Sequence, residues 1–141
     1  MPPTSEERVI HGPGYAVAPS LGALGQGPGF LKVRRELGVS AFGVNAIVLP
    51  AGIETGGHYH DQQEELYFVH RGEVEIEFGD GTRHRLRPGG MARVDAATVR
   101  KLRNVGDGDA VYLVAGGQGG YVGRDGRLPE GETGRVRVTD H

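Results

Sequence analysis

The clearest local pattern lies in residues 73–87, which read EVEIEFGDGTRHRLR. Polar and apolar residues alternate on both sides of Gly79-Asp80-Gly81, which is typical of two half-buried antiparallel strands joined by a turn. A three-residue loop pairs Phe78 with Thr82 and keeps the apolar side chains on one face, whereas a two-residue loop shifts the register by one. The stretch therefore predicts a β-hairpin with a charged outer face. Its predicted cross-strand pairs are Glu73–Arg87, Glu75–Arg85 and Glu77–Arg83.

The pattern of short apolar segments continues on both sides of this hairpin, with Gly, Pro and Asp between the segments. Glycine supplies 26 of the 141 residues, and no stretch repeats apolar residues at helical spacing. About eight strands at this spacing are typical of an all-β sandwich or barrel. The predicted strands are 30–36, 41–49, 65–70, 73–78, 82–87, 91–94, 98–103 and 109–115.

The length of the chain predicts one domain with terminal extensions. Residues 1–29 mix Pro and Gly with short apolar pieces, so we interpret them as an N-terminal arm. The strand pattern fills residues 30–115, which we predict to form the barrel. Residues 116–141 form a C-terminal extension whose first part is rich in Gly.

The charge and composition argue against several functional classes. Sixteen basic and 18 acidic residues give a net charge of −2, which does not suit nucleic acid or an anionic membrane surface. Because the chain has no Cys, only His and carboxylate side chains remain as strong metal ligands. No apolar run is long enough to cross a membrane, and the polar first eight residues lack a signal-peptide core. We therefore expect a cytoplasmic protein with no nucleic-acid or membrane partner.

A cluster of candidate metal ligands follows Gly52. His58 and His60 are two residues apart, so on an extended chain both imidazoles point to the same side. Glu65 opens the next predicted strand, and Tyr67 shares its face. Two imidazoles and one carboxylate form a ligand set that suits Zn, Fe, Mn or Ni.

The segment resembles the first motif of the cupin superfamily, G-x5-H-x-H-x3-4-E-x6-G. Every fixed position is matched, by Gly52, His58, His60, Glu65 and Gly72. The resemblance implies a jelly-roll β-barrel with His58, His60 and Glu65 as metal ligands inside it. The second motif, G-x5-P-x-G-x2-H-x3-N, is matched only in part. Gly89 and Asn104 fit it, but Asp95, Ala97 and Arg100 stand at its Pro, Gly and His.

Arg100 therefore occupies the position of the fourth ligand, although a guanidinium offers no lone pair to a metal. Two arrangements avoid its repulsion from a dication. In the first, three protein ligands hold the metal and Arg100 binds an anionic group of the substrate. In the second, Arg100 pairs with Glu65 and the site contains no metal.

Several functions are compatible with this pattern. One is a divalent-metal enzyme of the oxygenase or isomerase class that acts on a small polar or anionic molecule. The alternatives are a small-ligand binding or sensing module without turnover, and a metal-free barrel with a structural Glu65–Arg100 pair. We add Tyr67 and His84 to Arg100 as candidate substrate-binding residues, because both are predicted to face inward. The resemblance also implies a homodimer, in which the N-terminal arm adds a strand to a neighbour's edge.

Overall fold

The described part of the chain, residues 8–123 and 125–129 of a computed structural model, consists mainly of β-strands. One α-helix, α1 (Val33–Leu37), and a 3-10 helix (Leu21–Leu24) accompany them. The strands are β1 (Ile10–Gly12), β2 (Tyr15–Val17), β3 (Gly29–Leu31), β4 (Gly43–Leu49), β5 (Tyr59–His60), β6 (Glu64–Arg71), β7 (Val74–Phe78), β8 (Arg83–Leu86), β9 (Met91–Val94), β10 (Arg100–Asn104), β11 (Ala110–Gly117) and β12 (Gly126–Arg127).

Two antiparallel sheets enclose the core. Five strands follow the order β3-β4-β11-β6-β9 in one sheet, and three follow the order β10-β7-β8 in the other. Apolar side chains of both sheets meet in one interior cluster, as in two sheets that pack face to face. This architecture confirms the predicted all-β jelly-roll fold. Among the buried residues of the cluster are Ile47, Leu49, Val69, Val74, Ile76, Leu102, Tyr112 and Val114.

The hairpin of β7 and β8 has the predicted register. Glu75 lies opposite Arg85 and Glu77 opposite Arg83, and the Phe78 N–H donates to the Thr82 carbonyl at 3.0 Å. The ion pairs follow this register only in part. Arg83 contacts Glu77 at 3.1 Å, whereas Glu75 pairs with Arg103 of β10 and Glu73 pairs with Arg85. Strand β10 therefore supplies an ion-pair partner, Arg103, that the sequence of the hairpin alone does not indicate.

The predicted strand at 30–36 is wrong after Leu31, because residues 33–37 form α1. Val33 and Leu37 are four residues apart, so they lie on the same helix face, and both pack on the outer surface of the five-stranded sheet. Gly38 ends the helix in the left-handed conformation, with φ at 74°. The four-residue spacing of Val33 and Leu37 before Gly38 indicates this short helix, although no longer helical pattern surrounds it.

Both predicted extensions contain regular structure within the described residues. The N-terminal arm forms the β1–β2 hairpin and the 3-10 helix, and β3 begins at its last residue. In the C-terminal extension, β12 pairs with β5 beside His60. The domain boundaries stay predictions. None of the described helices has the length and apolarity needed to cross a membrane.

Gly72, at the turn between β6 and β7, gives a test of the packing. Its φ is +78°, and an added Cβ would lie 2.9 Å from the Cα of Ala110. Gly81 has a similar φ of +87° but no heavy atom near its Cβ position. We expect Gly81→Ala to lower the free energy of unfolding by about 1–2 kcal/mol through backbone strain. Gly72→Ala should lower the free energy of unfolding by a further ~1–3 kcal/mol, because the added Cβ also pushes the turn between β6 and β7 away from Ala110 of β11. Urea denaturation measures both, and equal losses would contradict this packing.

Candidate metal centre

Three neighbouring segments bring the candidate residues together. The chain before β5 runs beside β10, where His58 and Arg100 exchange two backbone hydrogen bonds of 2.9 Å. His60 follows in β5, two residues later, and Glu65 lies near the start of β6. The side chains of all four residues point into the interior, and each residue is at most 3% exposed. The extended H-x-H segment and the strand pairing thus place both imidazoles beside the Glu65 carboxylate.

The donor atoms of His58, His60 and Glu65 all lie within 4.8 Å of one another. The Nε2 of His60 is 3.1 Å from Glu65 Oε1, and the Nε2 of His58 is 3.8 Å from the same oxygen. Ligands with bonds of about 2.1 Å to one ion stand roughly 3.0–3.4 Å apart. The donors therefore fit one divalent ion only after they draw together by up to about 1.4 Å.

Glu65 is the shared acceptor of the cluster. Its Oε1 accepts hydrogen bonds from the Tyr67 hydroxyl at 2.7 Å and from Arg100 Nη2 at 3.1 Å. Its Oε2 accepts from the Gln63 amide at 3.0 Å. These donors fix the carboxylate, because each of them is itself buried. The negative charge on Oε1 lies on the side that faces the imidazoles.

Arg100 uses four hydrogen bonds to fill the position beside this carboxylate. Besides its bond to Glu65, Nε donates to the Tyr67 hydroxyl at 3.3 Å, and Nη1 donates to the carbonyls of Ala96 and Thr98 at 3.1 and 2.6 Å. The guanidinium is fully buried and carries a permanent charge. The structure thus contains the Glu65–Arg100 ion pair that the sequence analysis gave as one of two arrangements.

Burial determines the protonation states of the His58 imidazole and the Tyr67 hydroxyl. Desolvation lowers the pKa of His58, although the neighbouring Glu65 opposes this effect. His58 is therefore neutral near pH 7 and keeps a lone pair for a ligand. Burial and the charge of Glu65 raise the pKa of Tyr67 well above its usual range, so its hydroxyl remains protonated.

The structure brings Tyr67 and Arg100 to the predicted ligands but does not bring His84 to them. His84 lies opposite Ile76 in the register, yet its side chain is exposed and contacts the ring of Phe78. The expected inward position fails because β8 lies at the edge of its sheet, where residues of the opposite layer do not cover His84. Alternation along a strand predicts which face of the sheet a side chain lies on, but it does not predict whether other residues cover that face.

Two polar residues at the site are missing from the sequence prediction. Gln63 shares the face of Glu65 by alternation, but it precedes the predicted strand at 65–70. Asp125 lies in the C-terminal extension, outside every motif. Its carboxylate accepts from the backbone N–H groups of Gln62 and Gln63 at 2.8 Å each, and lies 3.8 Å from His60 Nδ1.

A cavity opens beside the Arg100 side of this cluster. Its volume is about 430 Å³, and its lining includes Phe78, Val94 and Thr98. Phe78 lies opposite Arg100 in the strand register, and Val94 lies opposite Glu65. None of His58, His60, Glu65 and Arg100 lines the cavity, but Arg100 donates a hydrogen bond to the carbonyl of Thr98 in its lining. The size of the cavity suits a small molecule.

The sequence and fold identify the family of the chain. The family model described as "Cupin domain" matches residues 45–116, just over half of the 141 residues, so the chain belongs to the cupin family. No significant match exists among curated proteins.

Similar solved structures include proteins with different activities. A sugar phosphate isomerase of the cupin superfamily from Silicibacter pomeroyi has a TM-score of 0.63 and 24% identity over 79% of this chain and 73% of that one. The DMSP lyase DddQ from Ruegeria pomeroyi has a TM-score of 0.56 and 27% identity over 64% of this chain and 45% of that one. A cupin protein from Bacteroides fragilis has a TM-score of 0.57 and 24% identity over 66% of this chain and 79% of that one. The chain therefore spans less than half of the length of the lyase.

The burial of His58 predicts a pH dependence of stability. Because its pKa in the folded protein lies below its ordinary value, the unfolded chain binds more protons as the pH falls. The contribution of His58 to the free energy of unfolding is fully present above the ordinary histidine pKa of about 6.5. It is lost as the pH falls through the lower pKa that His58 has in the folded protein. We expect His58→Gln to reduce the fall in unfolding free energy between pH 7 and pH 5 in urea titrations. The exposed His84→Gln control should keep the parent slope, and equal slopes for all three proteins would contradict this assignment.

Proposed function

We propose that this cupin is a divalent-metal enzyme that acts on a small polar or anionic molecule. The observation that carries the proposal is the buried convergence of His58, His60 and Glu65 donor atoms within 4.8 Å. A barrel without a ligand gains nothing from burying two imidazoles beside a carboxylate, since burial of polar groups costs free energy. Fe, Mn, Ni and Zn all suit this set of nitrogen and oxygen donors.

A bound divalent ion supplies Lewis acidity and a template for the substrate. The residues of the chain supply the rest. Arg100 contributes a fixed positive charge, and neighbours use four of its five N–H groups. Because the guanidinium is fully buried, an anionic group reaches the fifth only if the residues between Arg100 and the cavity move. Tyr67 holds a proton on its hydroxyl, 3.4 Å from His58 Nε2. That proton is donated to Glu65 Oε1 at 2.7 Å, so Tyr67 orients the carboxylate for either an oxygenase or an isomerase reaction. The likeness in fold to the DMSP lyase supports an enzymatic role.

A second candidate is a metal-free binding or sensing module, and the Glu65–Arg100 contact of 3.1 Å favours it. The Glu65 carboxylate and the Arg100 guanidinium sum to zero charge, so this ion pair is balanced without a bound ion. In this case the cavity beside Arg100 holds a small ligand and no turnover follows.

We also propose that the protein is a cytoplasmic homodimer. The hairpin of β1 and β2 supports the association, because Ile10, Tyr15 and Val17 are each at least 50% exposed and its two strands pair only with each other among the described residues. A two-stranded sheet of this size is marginal in water, and a second copy of the chain would cover its apolar side chains. Light scattering at tens of micromolar tests the proposal, and a monomer would contradict it.

Arg100→His tests whether position 100 lies beside the three donor residues. The new imidazole would complete a four-ligand set, so added Zn, Ni, Mn or Fe should raise the melting temperature of this variant more than that of the parent. Metal at about 100 times its dissociation constant adds about 2.7 kcal/mol to the unfolding free energy. His58→Ala in the same background should remove the effect.

Metal binding by the parent protein tests the enzyme proposal directly. Stoichiometric metal in protein purified without chelator, together with a metal-dependent melting shift that His58→Ala abolishes, supports the enzyme. A parent that binds none of the four metals contradicts it and favours the metal-free module. If Arg100→His also shows no shift, position 100 does not lie beside the three donors in solution.

A further inference from the structure

A second cavity lies on the outer surface of the five-stranded sheet, on the face opposite to the candidate metal centre. Its volume is about 370 Å³, which suits a small molecule. Leu31, Val48 and Val111 form its floor, and each of them is at most 5% exposed. The chain around the 3-10 helix Leu21–Leu24 forms one wall. The N-terminal arm and three strands of the sheet thus enclose an apolar floor.

A β-bulge at His70 directs two polar side chains toward this cavity. Val69 lies opposite Tyr112 and Arg71 lies opposite Val111, so His70 is an extra residue in the pairing of β6 with β11. In a regular strand, Arg71 would share the inward face of Val69. Because of the bulge, Arg71 lies beside Val111 of the outer apolar cluster, and His70 and Arg71 both line the cavity.

The polar groups of the cavity can recognise an anion. Arg71 carries a permanent positive charge, and its side chain forms no ion pair or hydrogen bond within the described part of the chain. Acidic side chains are absent from the described residues that line the cavity. The His70 imidazole offers an N–H in either tautomer, and Ser20 and Gln26 add a hydroxyl and an amide from the arm. The cavity therefore presents one uncompensated cation and several neutral hydrogen-bonding groups.

The strand register places this cation at one end of the apolar floor. Arg71 lies opposite Val111, and Val111 lies opposite Val48, so the three residues form one row across β6, β11 and β4. Adjacent strands are about 4.8 Å apart, so the row spans roughly 10 Å. An anionic group bound at Arg71 would thus place a short chain attached to it over the two valines.

We propose that this cavity is a second ligand site that binds a small organic carboxylate with an apolar body. A guanidinium binds a carboxylate through two parallel hydrogen bonds, and the apolar body gains free energy by covering the valine floor. One permanent cation balances a single negative charge, whereas a phosphate monoester carries close to two. None of the lining residues belongs to the candidate metal centre, so the inference is independent of the proposed function.

Hexanoate is the probe that tests this site. Amide nitrogen-15 spectra of the full-length protein, recorded in chelator-containing buffer without phosphate, follow the titration. We expect saturable shifts at His70, Arg71 and Val111, with a dissociation constant in the millimolar range for so small a ligand. Arg71→Gln should weaken binding roughly 10–100-fold, because it removes the charged partner.

Arg83→Gln is the matched control variant. Arg83 lies on β8 in the other sheet, and its side chain is 57% exposed, so the substitution removes the same charge at a distance from the cavity. It should change the affinity for hexanoate less than about twofold. Arg71→Lys keeps the charge without the two parallel N–H groups, so its affinity should fall between those of the parent and Arg71→Gln. This variant also serves as the folded reference if Arg71→Gln melts lower than the parent.

Three further probes separate the charge from the apolar body. Hexanamide keeps the chain without the charge, and acetate keeps the charge without the chain, so each should bind at least about tenfold more weakly than hexanoate. Inorganic phosphate should also bind more weakly. Hexanamide that binds as tightly as hexanoate contradicts recognition by Arg71, and equally tight acetate or phosphate contradicts the class of ligand.

The remaining outcomes also decide the inference. It is overturned if butyrate, hexanoate and octanoate all give no saturable shift at the three amides, or if Arg71→Gln binds hexanoate as tightly as the parent does. Shifts confined to the cavity beside Arg100 overturn it as well. Because every titration contains chelator, failure of the parent to bind metal counts against the proposed function alone and leaves this test unchanged.

Discussion

The buried carboxylate of Glu65 must be compensated, and this requirement shapes the interior of the barrel. An isolated charge removed from water costs several kcal/mol, so it persists in a core only with cations and hydrogen-bond donors around it. Arg100, Tyr67 and Gln63 provide them, from β10, β6 and the turn before β6. The remaining side of the carboxylate faces His58 and His60. The polar interior of this barrel is therefore organised around one oxygen atom, Glu65 Oε1.

The replacement of the expected fourth His by Arg changes the electrostatics of the site. With Arg100 present, the cluster is neutral when both imidazoles are neutral, whereas a bound dication leaves a net charge of +2. Asp125, 3.8 Å from His60, offsets one of these charges from a segment outside the family motif. The C-terminal extension and the position-100 substitution thus act in opposite directions on the affinity for an ion.

The sequence predicts those features that depend on neighbouring residues along the chain. The alternation in residues 73–87 predicts the register of β7 and β8, and the spacing of His58, His60 and Glu65 predicts their shared direction. Features that depend on distant segments are not predicted, because no local pattern records them. The exposure of His84 depends on the position of β8 at the edge of its sheet, which distant segments determine. The position of Asp125 depends on the pairing of β12 with β5, about 65 residues away in sequence.

The central claim is that Glu65 and Arg100 compensate each other in the core, and a double-mutant cycle measures this directly. Glu65→Gln and Arg100→Gln, each in chelator-containing buffer, should lower the free energy of unfolding by about 3–5 kcal/mol, because each leaves an uncompensated buried charge. The double variant leaves no such charge and should cost at least ~2 kcal/mol less than the sum of the single losses. Additive losses, within about 0.5 kcal/mol, would show that the two side chains do not interact in the folded protein and would contradict this account.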